Sequence, residues 1–593
     1  MARRRRIVRG ALVIVGIFMG LRLFIARPAS SGPCESKAAC YVTPGGSGTT
    51  NGVDWDNAYA ALPASLTCGV TYYLAGGSYD YTSTSTTISN ACTAGSPLVI
   101  YKAVAGGPGN PQNVKGWRAS FGSTQARFTQ ATDADPEKGI SPFFTLAGNF
   151  ITIDGVVPAS GTPTKRAAFG IHLRSSNHLS KGFLSVTGAG NTVKHVELDG
   201  IASPYGFQIT ACSRTNGTVT LTTNGNPPWV VGDKIDLYMN GGTPKDFSTV
   251  SPSTGWPITS IRGNQISYAQ AGLDETCTMP AAPNPATVVL NLHPTPAVVV
   301  NVSAHPSNLS LTDNYIHDIP DGIHSSGQGC NHCTYLRNYI ARNHSTPTEH
   351  ANAIDGTVLN NSAIGQNIFE DIEGTSITVP TCGKPCDWQN DVIYSNLVFC
   401  TVASQSAHTG ATWQIPQCGA SSIFSDDNGA NHVTNLLVYG NTIVRPGYAC
   451  FIYVLNAAST ATAINNFMYC PNTTGAGGSV KIITGGGSPN QHSYNTGWGA
   501  AINQAPKPGA GDYFTTTFPA ATRVFVDPSD EGENFRLLND SVDTGRATGC
   551  QPGKNCLKDG ATLPPPYNVD LFGTPRGTGG EWARGALEFS ISR

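Results

Sequence analysis

Six stretches between Asn308 and Cys470 fall into register on one asparagine: NLSLTDNYI (308–316), HCTYLRNYI (332–340), NSAIGQNIF (361–369), NDVIYSNLV (390–398), NLLVYGNTI (435–443) and TATAINNFM (460–468). The anchors are Asn314, Asn338, Asn367, Asn396, Asn441 and Asn466, spaced 24, 29, 29, 45 and 25 residues apart. Two places after each anchor stands Ile316, Ile340, Phe369, Val398, Ile443 or Met468, apolar in every line. Three places before it come Leu311, Tyr335, Ile364, Ile393, Val438 and Ala463. Six places before it, four lines carry a second asparagine, at 308, 361, 390 and 435.

A unit of this length cannot bury its apolar face alone; stacking on its neighbours buries it in one continuous core. The runs are short, alternate with period two, and are rich in Ile, Val, Tyr and Thr, which points to strands rather than helices. One asparagine per coil fits a stacked amide ladder at a tight bend. These features predict a parallel β-solenoid. A β-sandwich is the competing reading, but sandwich strands rarely hold one residue type in fixed register.

Lines of the form N-x-x-I-x-x-N-x-I resemble the right-handed parallel β-helix proteins of the pectate-lyase-like superfamily. The stretch GGSGTTNGVDWDNAYAALPA (45–64) followed by YYLAGGSY (72–79) is similar to the first segment of many secreted members. Asp570, Gly573, Pro575 and Arg576, followed by RGALEF (584–589), are similar to their closing segment. The resemblance spans most of residues 41–589. It implies an all-β, right-handed parallel β-helix with an N-terminal cap, and secreted polysaccharide lyases and hydrolases as the functional class.

The chain has 593 residues, with few charges (12%) and abundant Gly (67) and Pro (40), as suits a turn-rich β protein. Residues 1–31 carry an Arg-rich start (Arg3 to Arg6, Arg9) and then ALVIVGIFMG, with Arg22 interrupting the apolar run. This is a secretory pattern, read as a signal peptide with a cleavage site at Ala29-Ser30-Ser31 or as an uncleaved membrane anchor. As a helix the run from Ala11 to Ala26 is ~24 Å long, short for a span unless Arg22 snorkels. Without these residues the balance is 29 basic against 38 acidic, net −9. An acidic chain argues against nucleic acid as a partner. The expected partner is an extracellular polysaccharide, met by a monomer outside the cell, at its surface or in the periplasm.

All 16 cysteines lie beyond the leader, consistent with an oxidising compartment. They fall into near neighbours: 34/40, 68/92, 212/277, 330/333, 382/386, 400/418, 450/470 and 550/556. Cys330-Asn-His-Cys333 is read as structural, because a redox or zinc role would want a matching second motif and Cys333 lies inside a strand line. Residues 54–62 are expected to form a short capping helix, since an open solenoid end exposes core and strand edges. ITIDG (151–155) and VELDG (196–200) read as earlier coils. The rhythm then stops. WVVGDKIDLYMNG (229–241) and WPITSIRGNQISYA (256–269) alternate around Gly turns and predict a small antiparallel barrel, closed at its base by Cys212 and Cys277. It is either a spacer or a glycan-binding module, and no aromatic cluster declares a sugar platform. The chain thus divides into a leader (1–31), cap and first coils (32–200), the inserted module (201–300), central coils (301–480) and last coils with the closing segment (481–593).

After each anchor line comes another strand. Alignment places Gly322-Ile323-His324 over Ala353-Ile354-Asp355 and, next but one, Ser422-Ile423-Phe424. With Ile323 and Ile354 inward, His324 and Asp355 point outward, one strand spacing of ~4.8 Å apart. Two insertions, Asn343 to Glu349 and about Ala403 to Cys418, leave the same turn and should wall a groove over that strand. The groove would gather His324, His344, Glu349, His350 and Asp355, with Arg337 and Arg342 nearby, Trp413 on the second insertion, and Asp426 and Asp427 two coils on.

Two mechanisms are open. A lyase needs a base and a cation to neutralise a uronic carboxylate. His324 or His350 would be the base, Arg337 or Arg342 the cation, and Asp355, Asp371 and Glu373 candidate calcium ligands, with calcium as the expected cofactor. A glycoside hydrolase needs two carboxylates across the scissile bond. Asp355 with Asp426 or Asp427 would be that pair. NAIDG (352–356) with the later double aspartate resembles the polygalacturonase pattern, though the chain lacks its Gly-His-Gly and Arg-Ile-Lys. Residues 308–470 hold 12 acidic and four basic residues, a field that repels a polyanion unless a metal bridges them. On the resemblance, a calcium-assisted lyase is the first expectation, a hydrolase of the same fold the second, and a non-catalytic surface or adhesion protein the third.

Overall fold

The computed structural model describes residues 34–587 apart from 82–84, 131–141, 157–168, 176–181, 201–205, 228–230, 233, 239–254, 277–286, 291–297, 305, 320, 327–328, 344–350, 357, 380–386, 402–421, 427–431, 445–448, 455–458, 472–478, 483–490, 500, 505–508, 510, 517–519, 522–523, 530–533, 538–559 and 578–581. The leader therefore lies outside the described residues, and among these no helix is long and apolar enough to cross a membrane.

Each coil contributes one strand to each of three parallel sheets, two of 12 strands and one of 11. In one coil these strands are Ser310–Thr312, Tyr315–Ile319 and Asp321–Ser325. The anchor asparagine follows the corner between the first sheet and the second. The residue before it takes left-handed backbone: Asp313, Arg337, Gln366, Ser395, Gly440, Asn465 and Tyr494 all have φ between 52° and 59°. For a non-glycine residue such a conformation costs on the order of 1–2 kcal/mol, and the ladder behind it supplies the offset. Asn338 donates from its backbone N (2.8 Å) and Nδ2 (3.2 Å) to Asn367 Oδ1. Its Nδ2 also donates to Leu311 O of the preceding coil. The same pattern runs from Asn314 to Asn466, every anchor being fully buried or nearly so. Buried amides so completely bonded lock one coil's register to the next.

The apolar partners of the anchors line the axis. Leu311, Tyr335, Ile364, Ile393, Val438 and Ala463 face inward from the first sheet, and Ile316, Ile340, Phe369, Val398, Ile443 and Met468 from the second, each at most 1% exposed. The coils begin earlier than the asparagine lines, at Ala39–Val42, and include Ile151–Asp154 and Val196–Asp199 as expected. They also run past Cys470, to Tyr513–Thr515. Residues 54–62 hold one 3-10 turn, Trp55–Asn57, rather than a capping helix. Ala58 turns extended and Tyr59 bridges to Val42, while Leu62 and Leu66 enter the axial core.

The inserted module is an antiparallel barrel. Gly206–Thr215 pairs with both Thr218–Thr223 and Thr287–Leu290, closing the strand order on itself around Ile209, Val219, Leu221, Ile235, Ile266 and Tyr268. The closing segment folds back along the outer face of the second sheet. Leu571, Ala583, Ala586 and Leu587 pack there with Tyr339, Leu397, Phe399, Phe467 and Trp498. Four of the expected disulfides form: Cys34–Cys40, Cys68–Cys92, Cys330–Cys333 and Cys450–Cys470. Cys212 and Cys400 are also disulfide-bonded. Their expected partners Cys277 and Cys418 lie outside the described residues, as do Cys382, Cys386, Cys550 and Cys556.

Candidate active site on the third sheet

Period-two alternation decides what the third sheet shows to the outside. Ile323 and Ile354 are buried and paired, so the residues after them, His324 and Asp355, stack on the opposite face. His324 Nδ1 hydrogen-bonds Asp355 Oδ1. The histidine is half-buried and the carboxylate buried at 6% exposure. A carboxylate in this position fixes the imidazole tautomer and ring orientation, which leaves the other ring nitrogen, Nε2, for general acid–base work.

The row continues differently from the sequence alignment. Asp355 pairs with Thr378 and Thr378 with Ser425, so Phe424, not Ile423, extends the inward row of Ile323, Ile354 and Ile377. The cause is an irregular pairing between Ser422 and Phe424 opposite the next coil, a bulge that adds one residue to this strand. Asp426 consequently falls beside Val379, one position off the row of Asp355.

Both long insertions leave the chain between a second-sheet strand and a third-sheet strand: one follows Tyr339–Asn343, the other Leu397–Phe399. The barrel leaves from the same corner, between Val196–Asp199 and Val298–Val302. Three excursions therefore leave the chain at the corner that leads into the sheet carrying His324. His344, Glu349, His350, Trp413 and Asp427 lie outside the described residues.

The two arginines are not at this site. Arg337 occupies the corner between the first and second sheets and holds Asp313 with two bonds of 2.7 Å. Arg342 ends a second-sheet strand and grips Asp318 through Nε (2.7 Å) and Nη2 (2.6 Å). Burial opposes charge on both members of that pair, yet the ion pair outweighs it, holding the Asp318 carboxyl below its ordinary range and raising Arg342. Sequence proximity to His324 misled here because a coil turns three corners within about 25 residues.

The three candidate calcium ligands are not gathered either. Asp355 faces His324, while Asp371, at a left-handed corner, accepts from Thr401 N (2.7 Å) and Oγ1 (2.9 Å). Glu373 is half-buried beyond that corner, and among the described residues the three do not form a ligand group. They do not fit a calcium cage, which needs six to eight converging oxygens.

Sequence reasoning missed a second polar cluster on the outer face of the second sheet, built from His172, Glu197, Asp199, His317 and Asp318. Its signal was present in VELDG, where Glu197 and Asp199 alternate with the inward Leu198.

No family model and no curated protein matches the chain. The fold is the parallel β-helix that the sequence resembles. Among solved structures the chain is similar to pectate lyase Pel9A, at 11% identity over 93% of this chain and 96% of that one, with a TM-score of 0.42. It is similar to an alginate lyase from Paenibacillus sp. str. FPU-7, at 11% identity over 72% and 91%, TM-score 0.31. A GH136 lacto-N-biosidase from Eubacterium ramulus matches at 9% identity over 80% and 68%, TM-score 0.32.

Proposed function

We propose that this chain is a secreted polysaccharide-cleaving enzyme that works by β-elimination on a uronic-acid-containing glycan, with His324 as the base. The observation that carries the reading is the His324–Asp355 hydrogen bond on the outer face of the third sheet. With Nδ1 held by Asp355, proton transfer runs through Nε2: it takes the proton α to the substrate carboxylate, the α–β double bond forms, and the glycosidic oxygen departs from the β carbon and takes a proton from solvent. Asp355 is a positioning residue that orients the ring and stabilises the imidazolium formed.

The same geometry disfavours the hydrolase reading. A glycosidase needs two carboxylates facing each other across the scissile bond. Here Asp355 is turned to a histidine, and Asp426 stands off its row. Arg337 and Arg342 are engaged by Asp313 and Asp318, so the reading requires a cation other than these two to neutralise the substrate carboxylate, and the calcium arm of the test probes for one. The disulfides fit an oxidising compartment.

The test is incubation with a panel of polyuronates and neutral glycans, with calcium supplied or chelated. Ultraviolet absorbance from unsaturated ends on a polyuronate supports the reading. New reducing ends without that absorbance would assign hydrolysis instead. No cleavage of any polymer would leave a binding protein.

A further inference from the structure

The outer face of the second sheet changes character along its length. Downstream it is apolar and covered by the closing segment; upstream, three consecutive strands present ionisable side chains to one another. Ile171–Ser175 supplies His172, Val196–Asp199 supplies Glu197 and Asp199, and Tyr315–Ile319 supplies His317 and Asp318. The register is direct: His172 pairs with Glu197, and Asp199 with His317.

His172 is 4% exposed. Its Nε2 lies 3.2 Å from Asp199 Oδ2, but its Nδ1 is buried and makes no hydrogen bond among the described residues. Nδ1 is turned toward Glu197 Oε2 at 3.9 Å, too far for a hydrogen bond. An orphaned buried ring nitrogen is unfavourable unless something occupies the gap. A metal ion with bonds of ~2.0–2.2 Å to nitrogen and oxygen spans donor separations of this size.

The carboxylates are also held from behind. Gln125 Nε2 donates to Glu197 Oε2 at 2.8 Å, and His317 Nε2 lies 3.3 Å from Glu197 Oε1. His317 is itself fixed by Asp318 at 2.7 Å from Nδ1, and Asp318 by Arg342. Outer groups that orient first ligands in this manner are a regular part of metal sites.

We propose that His172, through Nδ1, and Glu197 form a binding site for a divalent transition-metal ion, with Asp199 holding the His172 ring through Nε2 and His317 and Gln125 positioning Glu197. An imidazole and a carboxylate as ligands, with a second carboxylate on the imidazole's other nitrogen, suit zinc or its open-shell analogues; calcium prefers an all-oxygen shell. The ion would tie two adjacent coils together beside the point where the barrel leaves the chain. This proposal is independent of the reaction assigned to His324.

The test uses the full chain, stripped with a chelator and titrated with zinc chloride alone, read by calorimetry and by thermal unfolding. The expected result is one zinc per chain and a Tm several degrees higher, because a ligand of the native state alone stabilises it. His172→Ala and Glu197→Gln should each abolish the stoichiometric binding and the Tm rise, while His317→Ala weakens binding ten- to a hundredfold. Should His172→Ala fail to fold, Glu197→Gln decides. Cobalt bound at the same site should give visible d–d absorption lost in Glu197→Gln. Absence of saturable zinc binding by the folded wild type overturns the proposal, as does binding unchanged in Glu197→Gln.

Discussion

Asp512 accepts hydrogen bonds from both the backbone N (2.8 Å) and the Nδ2 (3.1 Å) of Asn495, and thereby closes the asparagine ladder with a carboxylate. Every amide above it both accepts and donates. Among the described residues no further coil follows for the last position to donate to, and an accept-only group leaves no donor orphaned. Its second oxygen takes Gly509 N at 2.7 Å and the ring of His492.

The ladder predicts a sharp contrast between its two rows of asparagine. Asn396→Ala removes the acceptor of Asn367 N and Nδ2 and the donor to Ile364 O and Asn441 Oδ1, all buried. A loss on the order of 3 kcal/mol is expected in denaturant unfolding. Asn390 belongs to the outer row, exposed and linked to Asn361 at 3.3 Å, with φ of 57°. Asn390→Gly keeps that backbone at no steric cost, and its effect should stay within about 0.5 kcal/mol.

Asp391 predicts a pH dependence. Burial raises its carboxyl to about 7, against the smaller opposing effect of backbone donors at Ser362 and Gln389. Its Oδ2 has no hydrogen-bond partner among the described residues. The native state therefore binds a proton that the unfolded chain releases near its ordinary value of 3.8. Between pH 4 and 7 the native state holds more protons, so this group's contribution falls as pH rises, by up to about 1.4 kcal/mol per unit, and levels off above 7. Asp391→Asn should flatten that part of the stability curve, measured as Tm or denaturation midpoint across pH 4 to 9.

Arg576 predicts how the closing segment is held. It is buried and donates to Val569 O (2.9 Å), Ala583 O (3.3 Å) and Ser395 Oγ (3.2 Å), joining the segment to a coil corner. Asp570 shapes the turn before it by accepting from Phe572 and Thr574. Arg576→Met should cost about 3 kcal/mol and open the segment to limited proteolysis before the coils unfold.

The six anchor lines were legible because one residue type and one apolar partner recur at fixed offsets, and local disulfides were legible because their cysteines are near neighbours in sequence, 3 to 24 residues apart. Asn495 escaped because the residue two places on is Gly497, not an apolar side chain. A Cβ there would meet Phe514 at 2.4 Å, so the neighbouring coil fills the space instead. The third-sheet row was read correctly for His324 over Asp355, where register is regular. It failed at Ile423 because a bulge leaves no mark in hydrophobic pattern when both Ile423 and Phe424 are buried. The His172 cluster lay hidden because two of its three strands precede the asparagine ladder: Val196, not asparagine, donates to Asn314 from the equivalent place.

The most direct test of the central claim is the turnover of wild type, His324→Ala and Asp355→Asn on the polyuronate that the wild type cleaves, with thermal unfolding of all three recorded in parallel. The account predicts a loss of about 10²-fold or more in each variant, the size of a general-base contribution, with unfolding close to wild type. Wild-type turnover in both variants would contradict it.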